Sequence, residues 1–195
     1  MELWALKGEE FEQLEGSKLI HKFGIDNVLR LSRKDDFDNN YMKTLKAMES
    51  GIPFIIEAHL QTNKKKFKLR AKCDLLIRSD WVKKLNFKYI LQIIIDEEIT
   101  GSKFIDNYHY LPIDFKMGSL NIYSERKPIN EFENFELSVS HKNNINQILF
   151  EMEILENMQD YYPKYGLNIS GNGVKCNKMK YNTYDLPAVI YKNYK

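Results

Sequence analysis

Two long alternating runs, joined by a short polar turn, constrain this chain more than any other feature. From Phe54 to Gln61, Phe54, Ile56, Ala58 and Leu60 fall on one side, and Ile55, Glu57 and His59 on the other. From Phe67 to Arg78 the period continues, with Phe67, Leu69, Ala71, Cys73, Leu75 and Ile77 opposed to Lys68, Arg70, Lys72, Asp74 and Arg78. Successive side chains of a strand point to opposite faces, so this period predicts two strands. Thr62 to Lys66 predicts the turn of a hairpin between them. A third run, Tyr108 to Gly118, alternates in the same way, with Leu111, Ile113, Phe115 and Met117 on one face and Asp114 and Lys116 on the other.

Helical periods flank these strands. Asp38 or Asn39 is placed to cap a helix reaching about Ser50, with Tyr41, Leu45 and Met48 on one face, Gly51 stopping it and Pro53 preventing its resumption. Asn144 to Gln159 carries an apolar stripe of Ile145, Ile148, Leu149, Met152, Leu155 and Met158 or Gln159, and Pro163 ends it. Glu9 to His21 predicts a further helix, and Arg33-Lys34-Asp35-Asp36 a solvated turn. Tyr89–Ile95, Tyr165–Ile169 and Leu186–Tyr191 read as strands, Leu120–Tyr123 as a strand beside the Tyr108 run, and Ser124–Asn143 as loop. The order predicts one α/β domain over residues 1–195. Its core spans about 38–190, with a central mixed sheet flanked by helices and a helical extension over 1–37.

Composition limits the partners. The 195 residues are 43% hydrophobic and 29% charged, as in a soluble globular domain. A net charge of +2 excludes a uniform basic coat, so nucleic-acid contact would rest on local clusters such as Lys64–Lys66 with Lys68, Arg70 and Lys72, or Lys175–Lys180. Cys73 and Cys176 stand in no paired spacing, which argues against a zinc site or a disulfide framework. No apolar run approaches the ~20 residues of a membrane span, and Met1-Glu2-Leu3-Trp4 lacks a basic leader. The expectation is a soluble, intracellular protein.

Candidate chemistry lies in the carboxylates. Asp114 and Lys116, two apart on a strand, share a face, and Asp74 lies on the neighbouring strand. Such a set can hold a divalent cation and poise a water beside it, which is what phosphodiester hydrolysis requires. Alternating charges on a solvated strand give the same spacing. Against that stand the surroundings: Asp74 precedes Leu75-Leu76-Ile77, and Asp114 sits between Ile113 and Phe115, where an acid is costly unless paired or metal-bound. Glu57 and Glu49 are the two candidates for a third acid. Glu57 is preferred because its strand adjoins that of Asp74.

Three blocks resemble the PD-(D/E)XK nuclease superfamily, in its RecB-like exonuclease branch. They are Thr44-Leu-Lys-Ala-Met-Glu-Ser-Gly51 leading into Pro53–Leu60, then Ala71-Lys-Cys-Asp-Leu-Leu-Ile-Arg78, then Pro112-Ile-Asp-Phe-Lys116. The helix Asn144–Gln159 is similar to the one that follows in that branch, where a Gln and a Tyr four residues later line the DNA path. Gln147 matches the first, whereas position 151 is Glu. Lys72-Cys73 stands where Gly-Pro or Gly-x is usual, and the 40 positions from Asp74 to Asp114 imply an insertion. The resemblance implies a restriction-endonuclease-like core of αβββαβ order with insertions, acting as a Mg²⁺- or Mn²⁺-dependent deoxyribonuclease. Asp74 and Asp114, assisted by Glu57 or Glu49, would bind metal. Lys116 would position the water, and Gln147, Lys68, Arg70 and Lys72 would contact the DNA backbone. Such domains often belong to larger nuclease or helicase–nuclease assemblies. The departures leave a second expectation, a catalytically inactive nucleic-acid-binding module on the same fold.

Overall fold

The computed structural model describes residues 2–62, 68–85, 103–104, 108–116, 120–123, 136–137, 139–163, 165–170, 174–176 and 188–192. The strand expected over Tyr89–Ile95 and the Lys64–Lys66 cluster lie outside these residues. The helices are α1 (Glu2–Phe23), α2 (Phe37–Glu49) and α3 (Val139–Gln159). The strands are β1 (Val28–Arg30), β2 (Phe54–Gln61), β3 (Arg70–Arg78), β4 (Tyr110–Lys116), β5 (Leu120–Tyr123), β6 (Glu136–Leu137), β7 (Tyr165–Ser170), β8 (Val174–Cys176) and β9 (Ala188–Lys192).

The main sheet has six strands in the order β1-β2-β3-β4-β7-β9. β2, β3 and β4 form an antiparallel meander, and β7 runs parallel to β4 after the α3 crossover. β1 lies parallel to β2 at one edge and β9 antiparallel to β7 at the other. This is an α/β mixed sheet flanked by helices, as the alternating and helical periods predicted.

Several boundaries differ from the sequence reading. Residues 1–37 are integral, because α1 packs Phe11, Leu19, Ile20 and Phe23 on the sheet and β1 extends it. The cap of α2 is Asp36, whose carboxylate accepts from Asp38 N at 3.0 Å and Asn39 N at 3.2 Å. Asp36 prevails over Asp38 and Asn39 because it satisfies two free N–H groups of the first turn at once. β5 pairs with β6 and β8 in a separate small sheet and not beside β4. α3 begins at Val139, inside the stretch read as loop.

The hairpin carries a larger correction. Phe54, Ile56, Leu75 and Ile77 belong to the core beneath α1, whereas Ile55, Ala58, Leu60, Cys73 and Leu76 belong to the core beneath α2 and α3. The two-residue period therefore changes phase once in each strand, at Glu57 and at Asp74. Glu57 has φ +59°, a left-handed conformation rare for a residue with a side chain. It turns the strand over, so Ala58 and Leu60 point where plain alternation would have put Ile55 and Glu57. The register continues through the kink. Ile56 pairs with Leu75 and Ala58 with Cys73, which leaves Glu57 and Asp74 opposite each other between these pairs.

α3 is tied to β4 at both ends. Gln159 mimics a strand edge, accepting from Tyr110 N at 2.8 Å and donating to Tyr110 O at 3.2 Å. Gly166 on β7 permits the approach between: a Cβ there would lie 2.2 Å from Cγ2 of Ile148 and 3.3 Å from the sulfur of Met152. Gly166→Ala is expected to destabilise the fold by about 1–3 kcal/mol through overpacking, measured as a lowered urea midpoint at unchanged slope. An unchanged midpoint would contradict this packing.

Candidate functional site

The ladder between β3 and β4 runs from Arg78 paired with Tyr110 to Leu75 paired with Ile113. One step further stand Asp74 and Asp114, where the paired stretch stops. There the Asp74 side chain takes over from the backbone: Oδ2 accepts from Phe115 N at 2.8 Å. This bond holds the carboxyl against β4 and brings it to Asp114.

Asp114 is 2% exposed. Lys116 Nζ donates to its Oδ1 at 2.8 Å and lies 2.8 Å from Oδ2, which accepts no hydrogen bond. Gln147 Nε2 donates to the same Oδ1 at 3.2 Å and to Glu151 Oε1 at 3.1 Å. The structure thus brings Asp74, Asp114, Lys116 and Gln147 into one cluster, with no arginine on either aspartate.

Other candidates are placed differently. Glu57 stands opposite Asp74, but its carboxylate is bound by Arg33 NH2 at 2.6 Å. Glu49 is exposed at the end of α2, beside the Tyr108 hydroxyl. The chain after it meets β3 at Arg78, whose N–H donates to Pro53 O. Four strand residues, ~13 Å, separate that point from Asp74, so Glu49 lies at the other end of the sheet. Lys68 and Lys72 are exposed on the β3 side. Arg70 is engaged with Asp38 at 2.5 Å and Gln61 at 2.9 Å, and stacks over Phe37. His59 has its backbone N–H bound by Thr44 Oγ1 at 3.1 Å, and burial lowers its imidazole pKa.

Three members of the cluster were not foreseen. Glu12 on α1 is electrostatically coupled to Asp74. Arg33, read as part of a solvated turn, bridges Glu12 and Glu57. Glu151, 1% exposed, is set between Ile148 and Met152 within the buried stripe of α3. An acid inside an apolar helical stripe was a visible signal. Glu12 and Arg33 offered none, because only the packing of α1 brings them to the site.

Burial dominates the electrostatics. Asp74 is raised to about 7, by loss of water first and the neighbouring Asp114 charge second. Asp114 is raised by burial, against the pull of Lys116 and of a hydrogen bond with Asp74. Glu151 is raised to about 8 by burial, with Asp114 and Asp74 adding to the shift and the Gln147 bond opposing it. Glu12 is raised by burial and by Asp74, and the Cys73 thiol beside Glu151 is pushed well up by burial. Hard oxygen ligands are therefore present in excess. Among the described residues, however, no three of His, Cys, Asp and Glu converge as a ready-made metal cage. Asp74 and Asp114 alone match the donor set of an ion that binds one or two carboxylates and keeps its waters, as Mg²⁺ does.

The Glu151 shift sets a pH dependence. Its pKa rises from the ordinary ~4.3 of an unfolded chain to about 8 in the fold. The stabilisation from its protonated form is complete below the unfolded value and is lost as pH climbs through about 8. The metal-free protein should lose on the order of 3 kcal/mol of stability between pH 5 and pH 9 from this group, and Glu151→Gln should remove that share. Urea denaturation at the two pH values measures it; an equal loss in the variant contradicts it.

Among the described residues, no helix is long and apolar enough to cross a membrane. Comparison with family models, curated proteins and solved structures returned no match to this chain.

Proposed function

We propose that the chain is a Mg²⁺- or Mn²⁺-dependent deoxyribonuclease of the PD-(D/E)XK type, with Asp74, Asp114 and Lys116 at its centre. The observation that carries the reading is the meeting of two buried carboxyls, from strands paired with each other, beside an ammonium. Burial of two such acids is costly without a cation, and the only cation touching Asp114 among the described residues is Lys116. The order α2-β2-β3-β4-α3-β7, with an antiparallel meander and a parallel return, supports a restriction-endonuclease-like core.

In this reading Asp74 and Asp114 supply the metal's carboxylate oxygens. A bound divalent ion would neutralise charge on the phosphoryl oxygens and acidify a water. Lys116, whose side chain is 28% exposed, is more open to solvent than Asp114. Its ammonium orients the attacking water and offsets charge on the scissile phosphate. Gln147 holds Asp114 in place from α3. Lys72, exposed two residues before Asp74, and Lys68, exposed further along the same chain segment, make contacts to the DNA backbone, whereas Arg70 would first have to leave Asp38. Membership of a larger nuclease or helicase–nuclease assembly belongs to the same proposal.

The rival reading is a nucleic-acid-binding module without catalysis. It is favoured by the capture of Glu57 in an ion pair, which leaves two acids where three were expected. Mn²⁺-dependent cleavage of single- and double-stranded DNA decides between them. The nuclease reading expects cleavage that falls roughly 100-fold or more in Asp114→Asn and in Lys116→Ala. Equal activity in both variants overturns the site. Salt-sensitive DNA binding with no cleavage at any metal concentration assigns the chain to the rival.

A further inference from the structure

The carboxyls Glu12, Glu57, Asp74, Asp114 and Glu151 gather around the site, and the cations among them are Lys116 and Arg33. The two cations divide the group. Lys116 serves Asp114. Arg33 serves the other side, bridging Glu12 from α1 and Glu57 from β2, with Glu9 at 3.5 Å. Both bridged acids act on Asp74, and Glu57 is held opposite it by register and a left-handed backbone.

Arg33 does not arrive there as a loose surface side chain. Its turn is fixed by Asp35 N donating to Ser32 O at 3.3 Å and by the buried Asn40 amide donating to Ser32 O at 2.7 Å. Leu31, two residues before it, is buried and continues the β1–β2 pairing through a bond from its N–H to Ile56 O at 3.1 Å. A guanidinium keeps its charge at any working pH and can serve several carboxylates at once. Asp114 and Glu151, at most 2% exposed, lie on the other side of the cluster, where Lys116 Nζ stands 2.8 Å from both oxygens of Asp114. The two cations thus serve different acids, and the Asp74–Asp114 pair lies between them.

We propose that Arg33 fills a second cation position of this site, so that the protein takes up a single divalent ion, between Asp74 and Asp114, with a guanidinium standing where a second ion would otherwise bind Glu12 and Glu57. The proposal rests on the metal-dependent reading for the Asp74–Asp114 side only.

The test counts Mn²⁺ ions bound per chain, by calorimetric titration of metal-free protein with Mn²⁺. Wild type is expected to bind one ion, Arg33→Gln two, and Arg33→Lys, which keeps the charge, one. Removing the acids in place of the cation, with Glu12→Gln and Glu57→Gln together, should leave the count at one. A fall to none in that double variant overturns the proposal, because those acids would then be ligands of the only ion. Equal counts of one in wild type and Arg33→Gln overturn the proposal and leave the nuclease reading intact. No ion in wild type but one in Arg33→Gln overturns the proposal, because the ion between Asp74 and Asp114 is part of it. No ion in either overturns both. If Arg33→Gln folds only with metal, the same uptake is read as a larger Mn²⁺-induced rise in melting temperature than in wild type.

Discussion

Two carboxyls meet where β3 and β4 stop pairing, with one ammonium, Lys116, touching the pair. Asp74 is fastened to the Phe115 N–H and Asp114 to Lys116 and Gln147, yet burial raises the pKa of both. Much of the surrounding architecture delivers or restrains charge at this point. α1 brings Glu12, β2 brings Glu57, the turn after β1 brings Arg33, and α3 brings Gln147 and Glu151. Concentrating buried acids in this way lowers the stability of the fold.

The phase change in the hairpin makes the delivery possible. A regular two-residue period would put Asp74 on one face only, under one layer of helices. Because β2 turns over at Glu57 and β3 changes face beside it, Asp74 stands at the crossing between the core under α1 and the core under α2 and α3. It can then sense Glu12 from one layer and Glu151 from the other. A left-handed non-glycine residue costs about 1–2 kcal/mol. Such strain is found where function requires it, and here the Arg33 ion pair helps to hold it.

α3 acts as a ruler laid across the sheet. Gln159 grips Tyr110 at one end of β4 and Gln147 reaches Asp114 toward the other, while Gly166 lets the helix lie close enough for both. The fold and the site are therefore coupled mechanically. A side chain added at Gly166 would move the helix that orients Gln147, although it would touch no charged group.

Local pattern was enough to place β2, β3, β4, the end of α3 and the ordering of helix, meander, helix and return strand, because period and capping chemistry are written within a few residues of each other. It also singled out Asp74, Asp114 and Lys116, since acids within apolar strands stand out against their neighbours, whereas Gln147 was named only through the family resemblance. It did not reveal the phase change at Glu57, the distance of Glu49 from the site, or the parts taken by Glu12 and Arg33. Those depend on a backbone conformation that no alternation encodes and on interactions between segments distant along the chain, such as Glu12 with Asp74, 62 positions apart. Which acids share a pocket, and which are already answered by a cation, is settled only when helices and sheet are packed together, because Coulomb energy depends on separation in space and on burial, neither of which is a property of neighbours along the chain.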